Sequence, residues 1–164
     1  MIALVLGGAR SGKSEVGESR AAGLPAPVTY VATTVAADEE MAGRIAAHRA
    51  RRLATWTTVE VGQGEDLGAV LRSLPGTALV DSLGAWLAGA TSFAVDGERL
   101  CDELTGRTGD TVLVTDEVGL GVHPSSEMGR QFRDELGALN RMVAAVADEV
   151  LLVVAGRVLP LERA

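Results

Sequence analysis

The chain has 164 residues, 47% of them apolar and 23% charged, with a formal charge of −7 and a pI near 4.8. That length and composition fit one globular domain over residues 1–164, exclude general disorder, and make a poor electrostatic match for a nucleic-acid backbone. No apolar run approaches the roughly 20 residues of a membrane span, Met1–Leu6 lacks the flanks of a signal peptide, and the single Cys101 excludes an internal disulfide, so a cytoplasmic setting with no membrane span is expected.

Ile2–Leu6 reads as a strand, followed by a glycine-rich turn and a helix over Lys13–Ala22. A second strand, Val28–Ala32, precedes a helix over Asp38–Arg52. Trp56–Val61 alternates and predicts an edge strand, and Asp66–Leu74 a helix. Ala78–Val80 and Thr111–Thr115 are strands. Residues 82–110, where Gly, Thr and Ser interrupt the apolar residues, give no clear element beyond a short helical face at Leu100, Cys101 and Leu104. Met128–Ala147 carries Met128, Phe132, Leu136, Leu139, Val143 and Val146 at steps of three and four, which is one face of a helix. Val150–Val154 closes the series. Near-continuous apolar strands imply a sheet covered on both faces and therefore parallel strands, and the alternation with helices implies a doubly wound α/β domain.

Gly7-Gly8-Ala9-Arg10-Ser11-Gly12-Lys13-Ser14 fits G-x-x-x-x-G-K-[ST] and lies between a strand and a helix, where a phosphate loop must lie. Glycines let backbone N–H groups turn inward on phosphate oxygens, and the helix N-terminus adds positive potential at the same place. Lys13 is the only lysine among 15 cationic residues. A compact ammonium suits the β- and γ-phosphates, and the Ser14 hydroxyl suits Mg²⁺. A nucleoside triphosphate, GTP or ATP, is the expected ligand. A carboxylate at the end of another strand is then needed near the metal, and two candidates compete: Asp81, and the pair Asp116-Glu117. Spacing does not choose between them, and either can instead cap a following helix.

In the Asp38–Arg52 segment acids crowd the first turn and arginines the last, as the helix dipole favours. His48 falls on the Met41–Ile45 face, where a histidine is ordinarily a packing residue. The cluster Arg49, Arg51 and Arg52 exceeds what dipole complementarity requires and suits phosphates held against the imidazole. His123 lies in a turn-rich stretch and reads as a surface loop residue. Cys101 reads as core packing, because no basic group nearby would activate its thiol.

Four blocks together resemble the bifunctional adenosylcobinamide kinase / adenosylcobinamide-phosphate guanylyltransferase family. They are Gly7–Ser14; Tyr30–Thr34 with Asp38–Met41, Arg44-Ile45, His48-Arg49 and Arg52; Val80–Leu83 with Trp86-Leu87; and Glu117–Gly121 with Pro124, Phe132–Asp134, Asn140 and Ala147–Val150. The likeness runs from residue 3 to about 156. It implies a RecA-like P-loop domain, mostly parallel with helices on both faces, assembled as a homotrimer. It implies phosphorylation of the aminopropanol hydroxyl of adenosylcobinamide, then attachment of GMP carried on a histidine, here His48. Nucleotide contacts carry over to Gly7–Ser14 (Gly7, Gly8, Ala9, Arg10, Ser11, Gly12, Lys13, Ser14), to Thr33, Thr34 and Val35, to Arg49, Ala50, Arg51 and Arg52, and to Glu60 and Asp81, with Mg²⁺ expected at Ser14 and Asp81. The chain departs from the family at Ala47, where some relatives have a second histidine, at His123, where an aliphatic residue is usual, and at Asp116, where a short polar residue is usual. Two rivals use less of the chain. A P-loop kinase of another small hydroxyl compound leaves the arginine-rich His48 segment unexplained, and a RecA-like regulatory ATPase conflicts with the acidity and the lack of basic, aromatic strips.

Overall fold

A computed structural model describes residues 1–33 and 53–163. The described elements are β1 (Ile2–Gly7), α1 (Lys13–Ala22), β2 (Val28–Ala32), β3 (Thr57–Glu60), α2 (Leu67–Ser73), β4 (Thr77–Asp81), α3 (Leu83–Ala88), a 3₁₀ turn (Thr91–Phe93), α4 (Gly97–Gly106), β5 (Thr111–Asp116), α5 (Glu127–Val146), β6 (Glu149–Val154) and β7 (Arg157–Pro160). The seven strands form one sheet in the order β3-β2-β4-β5-β1-β6-β7. Every neighbouring pair is parallel except β6 with β7.

Alternation along β1 shows why the apolar runs had to be buried on both faces. Ile2, Leu4 and Leu6 pack with Leu67, Leu71, Leu83, Leu87, Leu100, Leu104, Leu136 and Val143 on the face covered by α2 to α5. Ala3 and Val5 join Ala21, Tyr30, Leu79, Val112 and Val114 on the face covered by α1. Gly17 brings α1 close to the sheet, because a Cβ there would stand 2.6 Å from a methyl of Val114. Asp66, Ser82, Asp96 and Ser126 cap four of the helices by accepting the N–H of the residue three positions on.

Two stretches differ from the sequence-based expectation. Residues 82–110 hold α3, the 3₁₀ turn and α4. Helix α3 is six residues long and buried almost all round, so it has no polar stripe to reveal a helical period. The sheet is not wholly parallel, because β6 turns back into β7 through Ala155 and Gly156, both at positive φ (49° and 72°). Two left-handed residues make the tight turn that matches the twist of a hairpin. Strand β7 is exposed along all four residues, and so carries no burial pattern to read. Met128, placed on the buried face by its spacing, is 68% exposed, in a first turn of α5 whose neighbours Ser125, Ser126 and Glu127 are exposed as well. The predicted edge strand is β3, at the end of the sheet beside β2. No described helix is long and apolar enough to cross a membrane.

Candidate active site

The C-terminal ends of β1, β5 and β4 lie side by side, with Gly7 in register with Asp116 and Asp81 with Val114. Chain leaving β1 turns through residues 8–12 and re-enters as α1. Gly12 is the N-cap at φ 94°, a conformation that disfavours any side chain, and no side chain caps the helix. The first N–H groups of α1 are therefore not taken by a cap and suit anionic oxygens. The loop is closed on itself by Ser11 N–H, which donates to Gly8 O at 3.2 Å, and braced from outside by Gly156 N–H, in the β6–β7 turn, which donates to Ser11 O at 2.8 Å. Arg10, at φ 57°, is exposed at the loop tip.

Lys13 Nζ stands 2.8 Å from Asp116 Oδ1 and 3.2 Å from Gly8 O. Ser14 Oγ donates to Asp81 Oδ1 at 3.4 Å, and the Tyr30 hydroxyl donates to Asp81 Oδ2 at 2.6 Å. The acidic residues that competed on spacing thus take different places. Asp81 faces the serine of the loop, Asp116 faces its lysine, and Glu117 turns away, accepting the N–H groups of Gly119 and Leu120 with Oε1. Hydroxyl and carboxylate oxygens alone make up the Ser14–Asp81 pair, which is the donor chemistry of a hard divalent cation. Among the described residues no three His, Cys, Asp or Glu side chains gather as a metal site.

Two supporting residues, Tyr30 and Asn140, had no role in the sequence-based expectation, and a third, Thr33, expected as a nucleotide contact, also has a structural one. Tyr30 orients Asp81. Asn140 is buried in α5, where its Oδ1 accepts the Thr115 hydroxyl at 2.7 Å and its Nδ2 donates to Asp116 O at 3.0 Å, which holds the end of β5. Thr33 is buried too, donating from Oγ1 to Ser82 O at 2.7 Å and accepting Ser82 N–H at 2.8 Å, so it ties the ends of β2 and β4 together. A buried Asn or Thr beside a strand end was the available signal, since such groups are paired when buried.

Glu60 ends β3, exposed and in register with Ala32. His123 is exposed, with Nδ1 3.2 Å from Pro124 O. Cys101 packs against the core, and burial, with Asp102 adding to it, pushes its thiol above the ordinary range. Thr34, Val35, His48, Arg49, Ala50, Arg51 and Arg52, with the whole helix expected over Asp38–Arg52, lie outside the described residues.

A model of the family described as cobinamide kinase / cobinamide phosphate guanyltransferase matches residues 3–161. The chain belongs to that family. Both activities, kinase and guanylyltransferase, go with the membership, as does a place in adenosylcobalamin biosynthesis. The bifunctional adenosylcobalamin biosynthesis protein CobP of Pseudomonas aeruginosa is 43% identical, over 97% of this chain and 96% of its own length. CobU proteins of Salmonella typhimurium and Escherichia coli are each 37% identical, over 95% of this chain and 97% of theirs. Among solved structures, the flagellar accessory protein FlaH of Methanocaldococcus jannaschii superposes with a TM-score of 0.57 at 12% identity, covering 96% of this chain and 74% of that one. The P4 protein of bacteriophage phi6 in complex with ADP gives 0.52 at 17%, covering 96% and 53%. These two likenesses bear on the fold alone, a RecA-like P-loop α/β sheet.

Proposed function

We propose that this chain is a single nucleotide-binding domain that performs both reactions on the adenosyl form of cobinamide, with His48 as the covalent carrier of GMP. The observation that carries the reading is the geometry of residues 7–14, in which Lys13 and Ser14 each meet a separate carboxylate at the ends of β5 and β4. In the first reaction the loop N–H groups and Lys13 hold the triphosphate of GTP or ATP. The aminopropanol hydroxyl attacks the γ-phosphorus, the bond to the β,γ-bridging oxygen breaks, and the nucleoside diphosphate leaves. Charge on the phosphate oxygens is met by Lys13 and by the N-terminus of α1. Ser14 and Asp81 would hold Mg²⁺, which neutralises phosphate charge when bound.

In the second reaction a neutral imidazole nitrogen of His48 attacks the α-phosphorus of GTP and pyrophosphate leaves. The phosphate of adenosylcobinamide phosphate then attacks that phosphorus, the P–N bond breaks, and His48 is restored. Imidazole suits the task because it is largely neutral near pH 7 while remaining nucleophilic. Arg49, Arg51 and Arg52 would stabilise charge building on the phosphates, and Thr33, Thr34, Val35, Ala50, Glu60 and Asp81 would complete the nucleotide contacts. We assign the protein to the cytoplasm, the reducing setting that a single unpaired cysteine suits, and to a homotrimer, which the family resemblance implies. The test is labelling: α-labelled GTP, but not γ-labelled GTP, should mark the protein with a bond labile to acid and stable to alkali. His48→Asn should abolish the mark while phosphorylation persists, and His123→Asn should keep it. A mark that survives in folded His48→Asn protein overturns the assignment.

A further inference from the structure

Between β5 and α5 the chain makes a pinned loop with an apolar tip. Its start is fixed to the phosphate loop, since Glu117 N–H donates to Gly7 O at 3.1 Å. Glu117 Oε1 closes the next turn on the N–H groups of Gly119 and Leu120. At the far end Arg130 Nη1 donates to Pro124 O at 3.2 Å and Ser125 O at 2.9 Å, and Ser126 caps α5. Yet Leu120 is 81% exposed and Val122 is 97% exposed. A segment tied down at both ends loses little further conformational freedom when something covers it, so its water-facing apolar groups form a ready binding surface.

We propose that this tip, Leu120 and Val122, is the docking platform for the corrin ring of the acceptor, placed so that the hydroxyl-bearing arm reaches the phosphates held by Lys13. The proposal rests on the reading of residues 7–14 as the triphosphate site. Position supports it: Asp116, one residue before the loop, pairs with Lys13, and three residues of chain put Leu120 within about 11 Å of Glu117. Chemistry supports it as well. A nucleotide has no use for two aliphatic side chains at its γ-phosphate end, whereas the acceptor has a broad macrocycle with apolar faces attached to the reacting hydroxyl. A second copy of this chain is the competing occupant, and the experiment separates the two.

The experiment measures phosphorylation of adenosylcobinamide by the full chain and by Leu120→Ser/Val122→Ser, with nucleotide titration and sedimentation of both. Covering one aliphatic side chain changes affinity by about tenfold or more. The double variant should therefore raise KM for the corrinoid by about tenfold or more while nucleotide affinity, kcat and sedimentation stay as in wild type. Val122→Ser alone should raise it by a smaller factor, and Leu120→Met/Val122→Ile should restore it. An unchanged corrinoid KM in the double variant overturns the proposal, and so does a fall in sedimentation coefficient, which assigns the loop to a contact between copies. Failure of the underlying reading has a different signature: wild type itself then transfers no phosphate to the corrinoid, and both fall together.

Discussion

At opposite ends of the parallel sheet, Arg107 and the Lys13–Ser14 pair are held in opposite ways. At the N-terminal end Arg107, just after α4, donates from Nε to Leu71 O, from Nη2 to Leu74 O and Gly76 O, and from Nη1 to Asp110 O, all within 3.0 Å. Burial pulls its guanidinium below the ordinary range, partly offset by Asp110. Ile2 N–H is likewise taken by Asp148 Oδ2 at 2.7 Å. The partners of Arg107 are main-chain carbonyls that cannot leave, while Arg20 with Glu149 and the N-terminus with Asp110 form ion pairs at the same end. At the C-terminal end Lys13 meets Asp116 and Ser14 meets Asp81 side chain to side chain, and each of these two contacts is displaceable by a phosphate or a cation. One end closes the fold, and the other holds its charges ready for exchange.

Four substitutions or measurements break or sharpen that contrast. The largest effect is expected at the exchangeable end: Lys13→Met should lower kcat for phosphorylation by about 10²–10³-fold with an unchanged unfolding midpoint. Near-normal turnover in that variant, measured by phosphate transfer to adenosylcobinamide, would remove Lys13 from the chemistry. Next, Asp81→Asn should weaken Mg²⁺–GTP binding by about 10–100-fold in a calorimetric titration. Glu117→Gln should weaken it less, since that carboxylate is committed to its own turn, and the reverse order would exchange their roles.

At the sealed end the effect should appear in stability instead. Arg107→Ala takes one donor group away from four carbonyls, of which Leu71 O and Asp110 O still accept a main-chain N–H, and should lower stability by about 1–3 kcal/mol in urea, with activity per folded molecule retained. A stable but inactive variant would join the two ends functionally and end the contrast. The smallest effect concerns Cys101, on the helix that leads to Arg107. Its raised thiol pKa means less thiolate at any given pH, so alkylation at pH 8 should run several-fold slower than for a small free thiol and rise at higher pH. Alkylation as fast as a free thiol would show that this end opens readily.

Sequence reading reached different depths in these regions. The phosphate loop was legible in full because strand, glycine turn, lysine and helix start are contiguous, and eight adjacent residues contain nearly all the geometry. The buried strands were legible because double cover leaves runs with almost no polar residue. Helix α5 was legible because twenty residues supply five turns of period, although its exposed first turn leaves Met128 in water against the pattern. Helix α3 was not legible, since six residues buried on nearly every side carry no period. Strand β7 left only the Ala155-Gly156 turn as its trace.

By itself, then, the sequence determined the fold class, the phosphate loop and the family, because each is written in local pattern or in blocks of neighbouring residues. The resemblance already joined Asp81 to Ser14, but spacing alone did not, and only the tertiary structure put Asp116 beside Lys13. Asp81 and Asp116 both end apolar strands, and nothing local distinguishes them. The strand order β4-β5-β1 does, by putting Asp116 in register with Gly7 beside Lys13 and leaving Asp81 one strand farther, opposite Ser14 and under Tyr30. The same holds for Asn140, Thr33 and Arg107, whose partners lie at least 24 residues away in the chain, apart from the neighbouring contacts of Arg107 to Asp110 and Thr111. Hydrogen bonds of that reach depend on packing already made, and no spacing along the chain encodes them.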